Sequence, residues 1–138
     1  MVSHIRRLSQ LVETQQVVIV SLGGDVKFSC RLMEPKDVLQ VTWQKETPGG
    51  TENVASYNKR FGPEVNPPFN MKVLFLYVGL QNCSVIIRRV EDESCYKCLF
   101  NIFPDGSITA NLGLVLVLRI LRVSEFLKKD EAPVQMEV

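Results

Sequence analysis

Four cysteines and a single histidine limit the chemistry open to this 138-residue chain. Cys95-Tyr96-Lys97-Cys98 has the spacing of a metal-binding or redox pair. A zinc ribbon needs a second such pair, and a zinc finger needs two histidines. The lone histidine is His4, near the start of the chain. A thioredoxin-like pair would sit at a helix N-terminus. Here the motif falls inside a strand, where Cys95 and Cys98 face opposite sides of a sheet. A nucleophilic triad fails for want of a base within reach. Glu91-Asp92-Glu93 and Asp130-Glu131 read as solvated carboxylate runs, and there is no glycine-rich phosphate loop. No enzyme, no cofactor and no small-molecule substrate is therefore expected. A formal net charge of +1 gives no electrostatic case for nucleic acid or an anionic membrane.

The cysteines make more sense as parts of strands. Val26, Phe28 and Cys30 alternate with Lys27 and Ser29, the period of two of a half-buried strand. Val41 and Trp43 share one face of the next strand, and Thr42 and Gln44 the other. Pro48-Gly49-Gly50 marks a hairpin. Tyr96, Cys98 and Phe100 are expected to face a core, with Cys95, Lys97 and Leu99 facing outward. Pro104-Asp105-Gly106 then turns the chain into a return strand from about 108 to 118, with Leu112, Leu114 and Leu116 inward. Trp43 and Cys98 stand 55 residues apart. With turns recurring about every 8–12 residues, that leaves room for four strands between them. Candidates are 53–57, 61–65, 71–75 and 84–90, while Asn66-Pro67-Pro68 cannot lie in a central strand.

An early Cys, a Trp on the next strand, and an acidic residue four before a Tyr that precedes a Cys by two are the fixed points of one architecture. Cys30, Trp43, Asp92, Tyr96 and Cys98 fill them. The fold class is all-β, an immunoglobulin-like variable-type β-sandwich of two antiparallel sheets. Residues 13–118 form the domain, 1–12 a disordered lead and 119–138 a tail or linker. Trp43 and Tyr96 belong to the core, and the Tyr96 hydroxyl is expected to bond to backbone just upstream. A Cys30–Cys98 bridge would stabilise the fold by about 4 kcal/mol in the chain-entropy model. Two reduced core cysteines, or a metal site, are the alternatives. Asn82-Cys83-Ser84 is a glycosylation sequon on Asn82. Lys72 is expected to pair with Asp92 across the bottom of the sandwich, adding roughly 1 kcal/mol.

Three segments carry a closer resemblance. Val-Thr-Trp-Gln-Lys at 41–45, Gly-Leu-Gln-Asn at 79–82 and Asp-Glu-Ser-Cys-Tyr-Lys-Cys-Leu-Phe-Asn at 92–101 resemble the N-terminal variable-type domain of the OX-2 membrane glycoprotein family. The likeness runs from about Val17 to Leu118. It implies a cell-surface ligand that engages an inhibitory receptor on myeloid cells and dampens immune activation. It also implies that Cys95 has a cysteine partner on the last strand, a position held here by Gly113. Cys95 and Cys83 are accordingly expected to be unpaired within the chain, as free thiols or links to another chain. The corner between Val90 and Asp92 is about two residues shorter than in the family.

The expected receptor face carries Thr42, Gln44, Lys97 and Leu99, with the turn beginning at Phe103. A homophilic or adhesive domain, disulfide-linked through Cys83 or Cys95, is the competing reading. A cytosolic protein using Cys95 and Cys98 is the third. The bridge points to an oxidising compartment, the cell surface or the extracellular space. Residues 1–16 lack the apolar core of a signal peptide, and Leu112–Leu118 is too short to span a bilayer. Membrane attachment would need an anchor missing from this chain, which is expected to be a fragment, a splice form or an incomplete gene model.

Overall fold

β-branched and aromatic residues at alternate positions make ten strands of the residues that the computed structural model describes, 11–116. They are β1 (Val12–Thr14), β2 (Val17–Val20), β3 (Val26–Leu32), β4 (Asp37–Thr47), β5 (Gly50–Asn58), β6 (Gly62–Val65), β7 (Val73–Tyr77), β8 (Asn82–Ile87), β9 (Ser94–Phe103) and β10 (Gly106–Leu116). One sheet has the order β1-β3-β8-β7 and the other β2-β10-β9-β4-β5-β6. The β5–β6 pair beside β4 is the extra pair of a variable-type sandwich. His4, most of the lead, the end of the domain and the tail at 119–138 lie outside the described residues.

Each inner face follows from the period of two. In β3, Val26, Phe28, Cys30 and Leu32 are buried while Lys27 and Arg31 are exposed. In β9, Tyr96, Cys98, Phe100 and Ile102 are buried between outward neighbours. Leu112 and Leu114 of β10 are buried and Leu116 is half-buried. Cys30 and Cys98 are joined by a disulfide with their Cα atoms 6.6 Å apart. Trp43 lies directly opposite Cys98 on the neighbouring strand. Phe28 links the two sheets, stacked on Trp43 at 6.3 Å between ring centroids and tilted on Tyr96 at 5.1 Å. Aromatic pairs of this kind add about 0.5–1.5 kcal/mol beyond their buried area.

The first strands divide between the sheets. β1 pairs antiparallel with β3, and β2 pairs parallel with β10. Gln15 holds the crossing, its amide donating to Lys27 O while its carbonyl accepts from Ser29 N–H. Val12 is 1% exposed within β1. Val12 thus fills the core at the start of β1.

The corner before β9 is tight. Gly23 N–H donates to Val90 O, and Val90 N–H donates to Gly24 O. Arg89 adopts a φ of 49°, a left-handed conformation unusual for a side chain with a Cβ. It is held from two sides: its N–H donates to the Asp25 carboxylate at 3.0 Å, and its carbonyl accepts from Lys72 Nζ at 2.9 Å. Among the described residues the Tyr96 hydroxyl makes no bond to upstream backbone, contrary to expectation. Burial pushes the Tyr96 phenol up, nearby Ser94 opposing and the Asp92 charge adding to the shift.

Candidate recognition surface

Alternation along β9 sends Cys95, Lys97, Leu99, Asn101 and Phe103 to the outer side of the six-stranded sheet. Register builds rows across three strands. Gln44, Lys97 and Asn111 form one row, and Thr42, Leu99 and Thr109 the next. Lys97 Nζ lies 2.9 Å from the Glu46 carboxylate, and that contact holds the Glu46 carboxyl below its usual range. The Gln44 amide donates to Asn53 Oδ1 at 2.9 Å. The Asn58 amide donates to Gln40, whose own amide donates to Thr42 Oγ1 at 3.0 Å. These side chains hold one another in place, so a partner would immobilise few further rotamers on docking.

Two expectations require correction, one in part. Thr42 faces the outer side but is only 7% exposed, because Gln40 reaches to it. It supports the face rather than offering contact. Gln44, Lys97 and Leu99 are half-buried, and Phe103 is 62% exposed. The expected Lys72–Asp92 pair is not formed. Lys72 Nζ lies 3.8 Å from Glu91, and Asp92 lies 3.7 Å from Lys45 of β4. The two adjacent carboxylates serve different sheets, so moving the partner by one residue changes which sheet it meets.

One end of the face is more apolar than the sequence suggested. The β9–β10 turn, the β5–β6 turn and the start of β4 meet there. Asp37 lies opposite Phe103, and Lys59 N–H donates to Leu39 O. This end exposes Phe103, Phe61 and Leu39. Leu39 is the extra residue of a bulge where the β4–β9 register shifts between Val38 and Gln40, which turns it outward. Phe61 is 80% exposed at the tip of the β5–β6 hairpin. The signal for Phe61 was present: a large aromatic immediately before a hairpin glycine has no core to enter. The Asn58 side chain fixes that tip by accepting the Arg60 and Phe61 N–H groups.

Comparison with known proteins decides the family. Residues 13–117 match the immunoglobulin V-set domain. The chain belongs to the immunoglobulin V-set family. Within it, the chain is similar to the OX-2 membrane glycoprotein of Rattus norvegicus, 32% identical over 113 residues that cover 76% of this chain and 41% of that protein. It is 35% identical over 95 residues to an OX-2 membrane glycoprotein homolog of Human herpesvirus 8 type P, covering 67% of this chain and 35% of the relative. Nectin 1b of Danio rerio is 28% identical over 123 residues, covering 80% of this chain and 23% of that protein. The chain thus spans about two-fifths of the length of the OX-2 relative from rat. Among solved structures, murine CRIg shares the fold at a TM-score of 0.60 and 16% identity, covering 76% of this chain and 95% of that one. This V-set domain is not an enzyme, and its relatives suggest an extracellular or cell-surface location. No helix among the described residues is long and apolar enough to cross a membrane.

In this V-set domain the two remaining cysteines lie in different environments. Cys95 is an exposed free thiol on the outer side of β9, directly opposite Gly113 of β10. Cys83 is buried at the start of β8 in the other sheet. Burial pushes its thiol up, opposed by the Trp43 indole and the Gly79 backbone. Asn82 stands half-buried on β8 opposite Arg31. Among the described residues, no group of three or more His, Cys, Asp or Glu side chains is placed to hold a metal ion.

Proposed function

We propose that this V-set domain is a recognition module that docks a protein receptor through the outer side of its six-stranded sheet. The observation that carries the reading is the held polar array of Gln44, Asn53, Lys97 and Glu46 running toward the apolar end at Leu39, Phe61 and Phe103. Aromatic anchors beside ordered polar groups are the composition of a protein-binding patch. Similarity to the OX-2 membrane glycoprotein supports an inhibitory receptor on myeloid cells as the partner, with damped immune activation as the outcome. Such a ligand acts at the cell surface or in the extracellular space. Asn82 points away from the opposite side of the sandwich, so a glycan there would leave the recognition face clear.

The test is binding of the purified domain to receptor-bearing myeloid cells, with Lys97→Glu and Phe103→Ala as probes. Loss of binding in both variants, with unchanged thermal unfolding, supports this face. Full binding by both removes it. A second reading, a homophilic or adhesive domain, is favoured by the exposed thiol of Cys95 on the same face. A disulfide-linked dimer on a non-reducing gel, lost in Cys95→Ser, would support it.

A further inference from the structure

Three cysteines are buried in the core, and only two of them are bonded. Cys30 and Cys83 are directly opposed on β3 and β8, and both are 0% exposed. Leu32 N–H donates to Gln81 O, its opposite residue, so hydrogen-bonded pairs recur at every second position along this ladder. Cys30–Cys83 is then also a hydrogen-bonded pair, with Cα atoms about 5.5 Å apart. That separation lies inside the disulfide range of about 4.4–6.8 Å. Opposed residues project to the same face of a sheet. The Cys83 thiol therefore enters the sandwich beside the Cys30 arm of the Cys30–Cys98 bridge. Cys30 thus has one cysteine bonded to it across the sheets and a second directly opposite it on its own sheet, at a Cα spacing that a disulfide can span.

We propose that Cys83 is an internal exchange thiol for the core disulfide. The Cys83 thiolate attacks Cys30 Sγ, forming a Cys30–Cys83 bond and breaking Cys30–Cys98. Cys98 leaves as the thiolate and takes up the proton that Cys83 gave up. One disulfide and one thiol stand on each side of the step, so no oxidant or reductant is consumed. The Trp43 Nε1–H has no hydrogen-bond partner of its own, and with the Gly79 backbone it favours a thiolate at Cys83. Burial opposes that thiolate and keeps the exchange slow in the closed domain.

Exchange would uncouple the two sheets. It would leave Cys98 free on β9, between Lys97 and Leu99 of the recognition face. The bridge pattern of the core would then control the order of the strand that carries the proposed contact.

The test uses folded, oxidised Cys95→Ser protein, which lacks the exposed thiol. It is held at mildly alkaline pH, and samples are alkylated, digested and mapped by mass over time. The expected result is a Cys30–Cys83 peptide that grows with an equal loss of Cys30–Cys98. Alkylated Cys98 should replace alkylated Cys83, at a rate independent of protein concentration. Adding Cys83→Ser should leave Cys30–Cys98 alone throughout. A map that keeps Cys30–Cys98 and alkylated Cys83 at all times overturns the proposal, as does a rate that scales with concentration. The same map on the unaltered chain serves if Cys95→Ser does not fold.

Discussion

Gly113→Cys should create a second disulfide, to Cys95, and raise stability measurably. Cys95 and Gly113 are directly opposed on β9 and β10. The Gly113 N–H donates to Gln16 O at 2.9 Å, on the β2 side. Because N–H and C=O of one strand residue point the same way, Gly113 turns no hydrogen bond toward Cys95. The two form a non-hydrogen-bonded pair, with Cα atoms about 4.5 Å apart. That is near the short end of the range a disulfide tolerates, about 4.4–6.8 Å. Room exists for the new side chain: a Cβ on Gly113 would meet Gln16 O at 3.6 Å and Val17 Cγ2 at 4.0 Å, ordinary contacts. Closing a loop of about 18 residues stabilises by about 3 kcal/mol in the chain-entropy model. For a domain near 100 residues this corresponds to a rise in Tm of roughly 10–20 °C. Replacing a strand glycine adds about 0.5–1 kcal/mol by itself. The control is therefore Gly113→Cys combined with Cys95→Ser, which keeps that gain without the bridge. Thermal unfolding of the two oxidised proteins, with alkylation of free thiols, isolates the disulfide term. If Cys95 remains alkylatable in oxidised Gly113→Cys, or if the two Tm values agree, the register deduced for β9 and β10 is wrong.

Other perturbations follow from the corner and the face. Asp25→Ala removes the acceptor that holds Arg89 at positive φ, and should cost about 1–2 kcal/mol in urea unfolding. Tyr96→Phe should change stability at neutral pH by less than about 0.5 kcal/mol, since the hydroxyl makes no upstream backbone bond. The Tyr96 phenol is raised above its ordinary value of 10.0. Its contribution is full below that pH and falls as pH climbs through the folded-state value, so Tyr96→Phe should flatten the alkaline loss of stability. Glu46 has the opposite sign. Its carboxyl is lowered from 4.5, so its contribution is present above that pH and fades as pH falls through the folded value. Lys97→Met should remove that acid-side dependence in a pH series of unfolding curves. At neutral pH Lys97→Met should change stability little, as expected for an ion pair at the surface.

How much of this was visible in the residues depended on whether one side of a strand faces the core and the other water. In β3 that condition holds, and Val26, Phe28 and Cys30 could be assigned inward from sequence. The Cys–Trp–Cys frame could be read for a related reason, because only a few residue types fill those core positions. β4 breaks the condition twice: its bulge turns Leu39 out, and the side chain of Gln40 covers Thr42 on the outer face. A period of two has no means of showing either, since one depends on pairing with β9 and the other on a side-chain hydrogen bond. Charges were harder still. Lys72 and Lys45 select between neighbouring carboxylates by which sheet each belongs to, and sequence distance does not encode that choice.

The cysteines show where the boundary lies. Spacing alone made Cys95 and Cys98 the pair to consider, and strand alternation separated them onto opposite faces. What matters for reactivity is instead the pairing of strands far apart in the chain. Register places Cys83 beside Cys30, and Cys95 beside a glycine. One spare thiol thus has a disulfide for a neighbour and burial to restrain it. The other has solvent access and no cysteine opposite it. Oxidants in solution should therefore reach Cys95 first, while chemistry at Cys83 waits on motion of β8. Alkylation of the native protein should label Cys95 well before Cys83, and equal labelling rates would contradict the burial on which both arguments depend.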